Sequence, residues 1–193
     1  MTRYVISFFM CSWLLYACSH SGKKSDTGQP AVTGEVFQQY YQCLPCGYDC
    51  DTLSFDQPGT CPHCRMERVK KESIRHGNLS IAALCLETRQ DLVFLDVRTE
   101  EEFSGRAAEK FGAIKGAINI PVQELEKRIK ELDPYKGKKI IVYCSHSHRS
   151  PMASYLLTQN GFTHIYNLEG GMSVWKEQVN NPDCNQIFYQ NQQ

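Results

Sequence analysis

The residues best suited to chemistry in this 193-residue chain are Cys144 and Arg149, which are separated by four residues. A cysteine beside a cation or at a helix N-terminus is stabilised as the thiolate, and the thiolate is the nucleophilic form. A thiolate can split a difficult transfer into two easier covalent steps. The sequence therefore favours covalent catalysis by Cys144, with Arg149 as the fixed cation.

The elements around Cys144 are those that such a nucleophile needs. Residues 139–143 form a short β-branched and aromatic run, which predicts a strand buried on both faces. Apolar residues then recur at helical spacing up to Asn160 and Gly161, which are typical of a helix end. Cys144 is thus expected between a strand end and a helix start, where unpaired backbone N–H groups stabilise an anion.

Three further segments follow a recognisable order. Residues 92–98 predict a buried strand that ends in Asp-Val-Arg, and residues 116–121 predict a short strand closed by proline. Residues 167–175 predict a strand end, a glycine turn and a short helix. With the Cys144 segment, they resemble the rhodanese family, marked by Asp-Val-Arg, Gly-Ala-x-Asn-Ile-Pro, Tyr-Cys-x4-Arg and Glu-Gly-Gly-x-x-x-Trp. The resemblance covers residues 73–178 and implies an α/β domain with a parallel sheet flanked by helices.

The resemblance also implies a reaction. The family's catalytic cysteine carries a persulfide, so Cys144 would take sulfane sulfur from thiosulfate or a persulfide and pass it to a thiol or a cyanide-type acceptor, without a cofactor. The loop of four residues before arginine favours sulfur over phosphate, because the related cysteine phosphatases use five. The residues expected to hold the persulfide with Arg149 are Ser145, His146, Ser147, His148 and Ser150.

Charged residues near the end of the first strand are candidates for a supporting role. Asp96 and Arg98 are expected near the site, although the favoured role of Arg98 is a structural ion pair with Glu102. His146 and His148 could protonate near neutral pH and strengthen the anion site, or could simply face solvent. Elsewhere, Cys85 is expected to be a buried inert thiol on a helix that Asn78 could cap.

A second group of cysteines precedes this domain, in residues 36–70. Cys43-x2-Cys46 and Cys61-x2-Cys64 have the pairing of a zinc ribbon, in which two knuckles supply four soft ligands to a structural Zn²⁺. The segment also resembles the heavy-metal-binding domains of bacterial metal-handling proteins. Disulfides or a redox-active dithiol remain alternatives. Cys50 could replace a ligand, pair elsewhere or remain free.

The amino terminus predicts the location of the protein. Residues 1–17 read as a signal peptide, and Leu15–Cys18 resembles a lipoprotein box with Cys18 as the lipidated residue. Residues 18–35 are rich in Ser, Gly and Lys and read as a flexible tether. We expect a bacterial envelope protein held by its lipid alone, favouring the outer membrane facing the periplasm. A secreted protein and an inner-membrane lipoprotein are the alternatives.

Composition limits the remaining functions. The formal net charge is zero, so no basic excess indicates a nucleic-acid partner. Residues 179–193 are polar and are expected to be a frayed tail, in which Cys184 could form a disulfide. Besides a sulfurtransferase with a small donor, a thiol acceptor and a possible protein thiol or redox partner, two readings stay open. One is an envelope metal or redox sensor or a sulfur-carrier docking module without independent turnover, and the other is an inactive scaffold.

Overall fold

The computed structural model describes residues 39–45 and 49–192. The cysteine-rich segment forms a small antiparallel sheet in the order β1-β3-β2. Its strands are β1 (Tyr41–Cys43), β2 (Gly59–Thr60) and β3 (Glu67–Lys70). We call residues 39–70 the cysteine module.

The rest of the chain is organised around a five-stranded parallel sheet in the order β4-β9-β8-β5-β7. Strands β6 and β10 form a separate antiparallel pair. The bounds are β4 (Gly77–Leu79), β5 (Leu92–Asp96), β6 (Ala113–Ile114), β7 (Ile118–Asn119), β8 (Lys139–Tyr143), β9 (His164–Leu168) and β10 (Tyr189–Gln190). The central strand β8 is buried on both faces, as its apolar run predicts.

Helices cover both faces of the parallel sheet. They are α1 (Ile81–Leu84), α2 (Glu100–Phe103), α3 (Val122–Arg128), α4 (Arg149–Gln159), α5 (Trp175–Gln178) and α6 (Pro182–Phe188). Short 3₁₀ segments span Asp49–Thr52, Lys71–Ser73, Arg89–Asp91, Ile129–Tyr135 and Gly171–Val174. Among residues 39–45 and 49–192, no helix has the length and apolar character needed to cross a membrane.

Two hydrophobic cores result from this layering. One face packs strand residues such as Phe94 and Ile141 against Trp175 and Phe188. The other packs Leu95 and Val142 against Leu125 and Leu157. Neighbouring residues of β5 and β8 thus point to opposite cores, as the two-residue period of a strand requires. The predicted α/β class with a helix-flanked parallel sheet is confirmed.

The end of the chain differs from its prediction. Residues 182–188 form a helix, Cys184 and Phe188 are buried, and β10 pairs with β6. Cys184 forms a disulfide with Cys85, so the expectation of an inert Cys85 thiol is wrong, and so is that of a frayed tail. The error arises because the residues that hold this segment lie far away in sequence. Cys184 is bonded to Cys85, and the buried Phe188 packs with Phe94.

Candidate functional site

The loop between β8 and α4 alternates buried and exposed side chains. Cys144 is 1% exposed, and Ser145 and Ser147 are also buried. His146 and His148 are exposed. Ser147 has a φ of 56°, a left-handed conformation uncommon for a residue other than glycine. The serines therefore turn inward with the cysteine, and the histidines form the outer rim.

The glycine turn after β9 holds this loop from behind. The backbone N–H of Met172 donates to the carbonyl of Cys144 at 3.0 Å, and that of Ser173 donates to Ser145 at 2.9 Å. Gly171 has a φ of 63°, and a Cβ atom there would lie 2.5 Å from the Cys144 carbonyl oxygen. The approach of the two backbones therefore requires glycine at this position.

Arg149 is held in place by Glu102. Nη1 and Nη2 of Arg149 lie 2.6 and 2.7 Å from the two carboxylate oxygens, and Ser145 Oγ donates to the same carboxylate at 2.9 Å. The bonds from Arg149 lower the pKa of Glu102 to about 2, and burial opposes them only in part. Glu102 and Cys144 together raise the pKa of Arg149. The cation is therefore fixed by its carboxylate partner within range of the charge of the loop cysteine.

The expected ion pair between Arg98 and Glu102 is wrong. Arg98 pairs instead with Asp96, with 2.6 Å between Nη2 and Oδ2, and both side chains are buried. Arg98 also donates to the carbonyl of Gly112 at 2.9 Å. These bonds join the end of β5 to the segment before β6. A direct role for Asp96 and Arg98 in chemistry stays a prediction.

A buried amide network lies on the other side of the loop. Ser150 Oγ is 3.5 Å from Cys144 Sγ and donates to Asn167 Oδ1 at 2.6 Å. Asn167 Nδ2 donates to Ser147 Oγ at 2.8 Å and to Asn78 Oδ1 at 3.0 Å. Asn78 therefore serves this network, and α1 is capped by Ser80 instead.

Asn167 was not predicted from the sequence as a member of the site, whereas Glu102 was placed near it as the expected partner of Arg98. The available signal for Asn167 was a polar residue at the buried end of an apolar strand, since its exposure is 0%. A buried amide needs hydrogen-bond partners, so this position indicates a polar network. For Glu102 the sequence predicted the position near the site but not its partner, Arg149.

Comparisons with known proteins agree with this geometry. The family model described as "Rhodanese-like domain" matches residues 83–178. Thiosulfate sulfurtransferase PspE of Escherichia coli is 34% identical over 77 residues, covering 40% of this chain and 68% of PspE. The chain belongs to the rhodanese family.

Other relatives share only the rhodanese-like part. YqhL of Bacillus subtilis is 42% identical over 81 residues, covering 42% of this chain and 58% of YqhL. The tRNA uridine(34) hydroxylase of Cytophaga hutchinsonii is 36% identical over 90 residues, covering 45% of this chain and 27% of that protein. The chain thus spans less than two thirds of either relative. PspE and the tRNA uridine(34) hydroxylase are both named as enzymes.

The cysteine module gathers four thiols beside the rhodanese-like domain. The Sγ atoms of Cys43, Cys50, Cys61 and Cys64 all lie within 4.8 Å of one another. A tetrahedral Zn²⁺ with Zn–S bonds of about 2.3 Å holds its sulfurs about 3.8 Å apart. This donor set therefore fits a thiophilic metal after a small contraction. Cys50, which the sequence left undecided, occupies one of the four places.

The thiols of this cluster differ in acidity. Burial raises the pKa of Cys50 to about 11, and burial raises that of Cys43 still further. Burial also acts to raise the pKa of Cys61, but the backbone N–H groups of Cys64 and His63 outweigh it and lower the value to about 7. Of these three thiols, Cys61 is the most readily deprotonated for a metal.

A cavity separates the cysteine cluster from the rim of the Cys144 loop. Its volume is about 430 Å³, and its wall includes Cys50, Cys64 and His63 from the module and His148 from the loop. On another part of the rim, His146 makes an edge contact with Phe111, with ring centroids 5.1 Å apart. The two rim histidines thus have different surroundings. Among the predicted site residues, Cys46 and Cys18 lie outside the described part of the chain.

Proposed function

We propose that the protein is a sulfurtransferase that moves sulfane sulfur from thiosulfate or a persulfide to a thiol or a cyanide-type acceptor through a persulfide on Cys144. The observation that carries the proposal is the position of Cys144. Cys144 is buried in the loop that leads into α4, and it lies near enough to Arg149, the first residue of that helix, to contribute to raising the Arg149 pKa. Family membership and the similarity to the thiosulfate sulfurtransferase PspE support the same chemistry.

The first half-reaction loads the enzyme. The Cys144 thiolate attacks the outer sulfur of thiosulfate, a new S–S bond forms, and the old S–S bond breaks with its electron pair leaving on sulfite. The product is a Cys144 persulfide whose negative charge lies on the outer sulfur. Arg149 and the N–H groups at the start of α4 would stabilise that charge.

The second half-reaction restores the thiolate. An acceptor nucleophile attacks the outer sulfur, and the electron pair of the S–S bond returns to Cys144. Cyanide becomes thiocyanate in this step, and a thiol becomes a persulfide. No external oxidant or reductant is consumed, because the transferred sulfur is neither oxidised nor reduced overall.

The test uses the protein without its predicted signal and tether, beside Cys144→Ser. Thiocyanate formation from thiosulfate and cyanide is measured together with the intact mass after exposure to thiosulfate alone. We expect turnover and an added sulfur atom, both lost in Cys144→Ser. A sulfur adduct that persists in Cys144→Ser would place the chemistry on another cysteine and overturn the proposal.

The cysteine module is proposed to hold a structural Zn²⁺ through Cys43, Cys50, Cys61 and Cys64, in place of the set with Cys46 expected from spacing. Bound zinc would cross-link a segment too small to bury a substantial core of its own. Metal analysis of protein purified without chelator should give one zinc per chain. Cys50→Ser should lose zinc, whereas retention of zinc in Cys50→Ser with its loss in Cys46→Ser would favour the spacing-based set.

The envelope location is part of the proposal. Cys18 would carry the lipid, and the protein would face the periplasm from the outer membrane, with the membrane contact made by the lipid alone. Labelling of cells with a radioactive fatty acid, followed by membrane fractionation, tests this directly. A Cys18→Ser protein that still takes up label would refute lipidation at Cys18.

A second candidate is an envelope sensor of metal or redox state, in which the rhodanese-like domain docks partners or carries sulfur without independent turnover. The cavity lined by Cys50, Cys64 and His148 favours this candidate, because the loss of a metal or the oxidation of a thiol in the cluster would take place next to the Cys144 loop. Persulfide formation without turnover for any acceptor would select it over the sulfurtransferase.

A further inference from the structure

A chain of side-chain hydrogen bonds joins the Cys144 loop to the cysteine module. Ser150 Oγ lies 2.6 Å from Asn167 Oδ1 and 3.5 Å from Cys144 Sγ. Asn167 Nδ2 lies 3.0 Å from Asn78 Oδ1, and Asn78 Nδ2 lies 3.3 Å from Asp51 Oδ2. The chain therefore begins beside the proposed nucleophile and ends inside the module.

The direction of donation along this chain is fixed at the module end. A carboxylate oxygen accepts a hydrogen bond from an amide NH₂ group, so Asn78 turns its NH₂ group to Asp51 and its oxygen to Asn167. Asn167 then donates to Asn78, which leaves the Asn167 oxygen to accept from Ser150. Each residue from Ser150 to Asn78 thus donates towards Asp51.

This direction matters at Cys144 because a serine hydroxyl has a single hydrogen. The 2.6 Å contact with Asn167 is a much stronger hydrogen bond than the 3.5 Å contact with the sulfur. The hydrogen of Ser150 therefore points to Asn167, and Cys144 faces the lone pairs of the Ser150 oxygen.

We infer that Asn167 is a positioning residue that withholds the Ser150 hydrogen from Cys144, and that the cysteine module sets its orientation through Asn78. The inference rests on the proposed sulfur transfer. A hydrogen bond to the thiolate would stabilise it and reduce its nucleophilicity. In the persulfide the charge lies on the outer sulfur, so a donor at Sγ would favour the unloaded enzyme. Withholding it keeps the free thiolate reactive.

The test replaces Asn167 with leucine, which has a similar size and accepts no hydrogen bond. Ser150 is then released to donate to Cys144. The rate of Cys144 alkylation by iodoacetamide is followed against pH by mass spectrometry of the Cys144 peptide. We expect the midpoint to move about one pH unit lower, and the rate constant for loading from thiosulfate, measured above the midpoint where Cys144 is fully ionised, to fall about threefold.

The other ionisable groups around the loop are the same in the parent protein and in every variant of this experiment. They are Arg149 and Glu102, which pair with each other, and the rim residues His146 and His148. The matched control is Asn167→Leu combined with Ser150→Ala, compared with Ser150→Ala alone. Without the hydroxyl, Asn167→Leu should no longer move the midpoint. If Asn167→Leu merely loosened the loop, it would shift the alkylation midpoint whether or not the Ser150 hydroxyl is present.

The module end is tested by Asn78→Leu. This substitution frees the Asn167 amide to turn over and present NH₂ to Ser150, so the midpoint should move in the same direction by a smaller amount. Asn160→Ala, at the exposed end of α4, is the control and should leave it unchanged. If Asn167→Leu does not fold, Asn78→Leu carries the test, because Asn78 is only half-buried.

Several outcomes would overturn the inference. They are an Asn167→Leu midpoint that stays fixed or rises, a shift that persists without the Ser150 hydroxyl, and an Asn78→Leu midpoint equal to that of the parent. Alkylation can be read without any turnover. Failure of the parent protein to form a sulfur adduct would therefore reject the proposed function while leaving the hydrogen-bond inference measurable.

Discussion

The bond between Glu102 and Arg149 provides the most direct test of how the loop is held. We consider Glu102→Gln, which keeps the shape of the side chain and removes its charge. The glutamine loses the two charge-assisted contacts of 2.6 and 2.7 Å with Arg149. The loop cation would then lack its carboxylate partner.

The size of the effect follows from the pKa of Glu102. A fall from the ordinary value of 4.5 to about 2 corresponds to at most roughly 3.4 kcal/mol. The two side chains are 22% and 30% exposed, so solvent screens part of this interaction. We therefore expect Glu102→Gln to lower the free energy of unfolding at pH 7 by about 1–2 kcal/mol.

The pH dependence has a definite sign. The unfolded carboxyl protonates near 4.5 and the folded one near 2, so the unfolded state binds more protons between these values. The stabilisation by Glu102 is therefore fully present above about pH 4.5 and is lost as the pH falls towards 2. The parent and Glu102→Gln should converge over that range.

Urea unfolding of both proteins at pH 7, 4.5 and 3 measures the difference. Glu101→Gln is the matched control, because Glu101 is an exposed neighbour on the same helical turn. A loss under about 0.5 kcal/mol at pH 7, within the range of ordinary surface substitutions, would refute the reasoning. So would a difference that stays constant down to pH 3.

Three further predictions concern stability and loop geometry. Replacing Cys85 and Cys184 with alanine should lower the free energy of unfolding by about 4–5 kcal/mol in the chain-entropy model, because the bridge closes a separation of 99 residues; thermal unfolding should then no longer respond to a reductant through this bridge. In the folded protein, burial lowers the pKa of His76 to about 4, although Asp51 raises it by a smaller amount. In the unfolded chain, His76 is protonated near its ordinary value of 6.5. The protein should therefore lose stability as the pH falls from 6.5 towards 4, and urea unfolding of His76→Leu should lack that contribution. Gly171→Ala should reduce the rate of sulfur-adduct formation on Cys144 at least about tenfold, because the added methyl group would displace the loop by contact with its backbone; an unchanged rate would mean that the loop tolerates the displacement.

The local elements were predictable because their signals lie within short stretches of chain. The apolar run at 139–143 is β8 itself, and α4 ends where Asn160 and Gly161 indicated, with Gly161 at a φ of 86°. The position of Cys144 between them follows from these two signals alone. Strand and helix periodicity therefore located the candidate site without any knowledge of distant contacts.

Partners across the fold were less predictable. Arg98 and Glu102 have the i,i+4 spacing of a helical ion pair, but Thr99 is the N-cap of α2, so Arg98 lies outside the helix and turns back to Asp96. The true partner of Glu102 is 47 residues away. No local pattern specifies such a pair, because it depends on how β5 and β8 lie side by side.

The same reason explains the amide network and the end of the chain. Asn78 and Asn167 are 89 residues apart in sequence but occupy paired positions in the neighbouring strands β4 and β9. The polar composition of the last residues suggested fraying, whereas a few apolar side chains and one disulfide suffice to hold them. Composition averages over a segment, and a single buried residue such as Phe188 can outweigh it.

The alternation of buried and exposed side chains in the Cys144 loop determines which of its positions can change without disturbing the sulfur. Substitutions at the inward serines would disturb the environment of the sulfur, whereas His146 and His148 project away from it. Natural variation or laboratory selection at these two outward positions can therefore change which molecules approach the loop while the reacting centre is left intact. Libraries restricted to positions 146 and 148 therefore offer a route to new acceptor preferences without changing Cys144 or the residues that surround its sulfur.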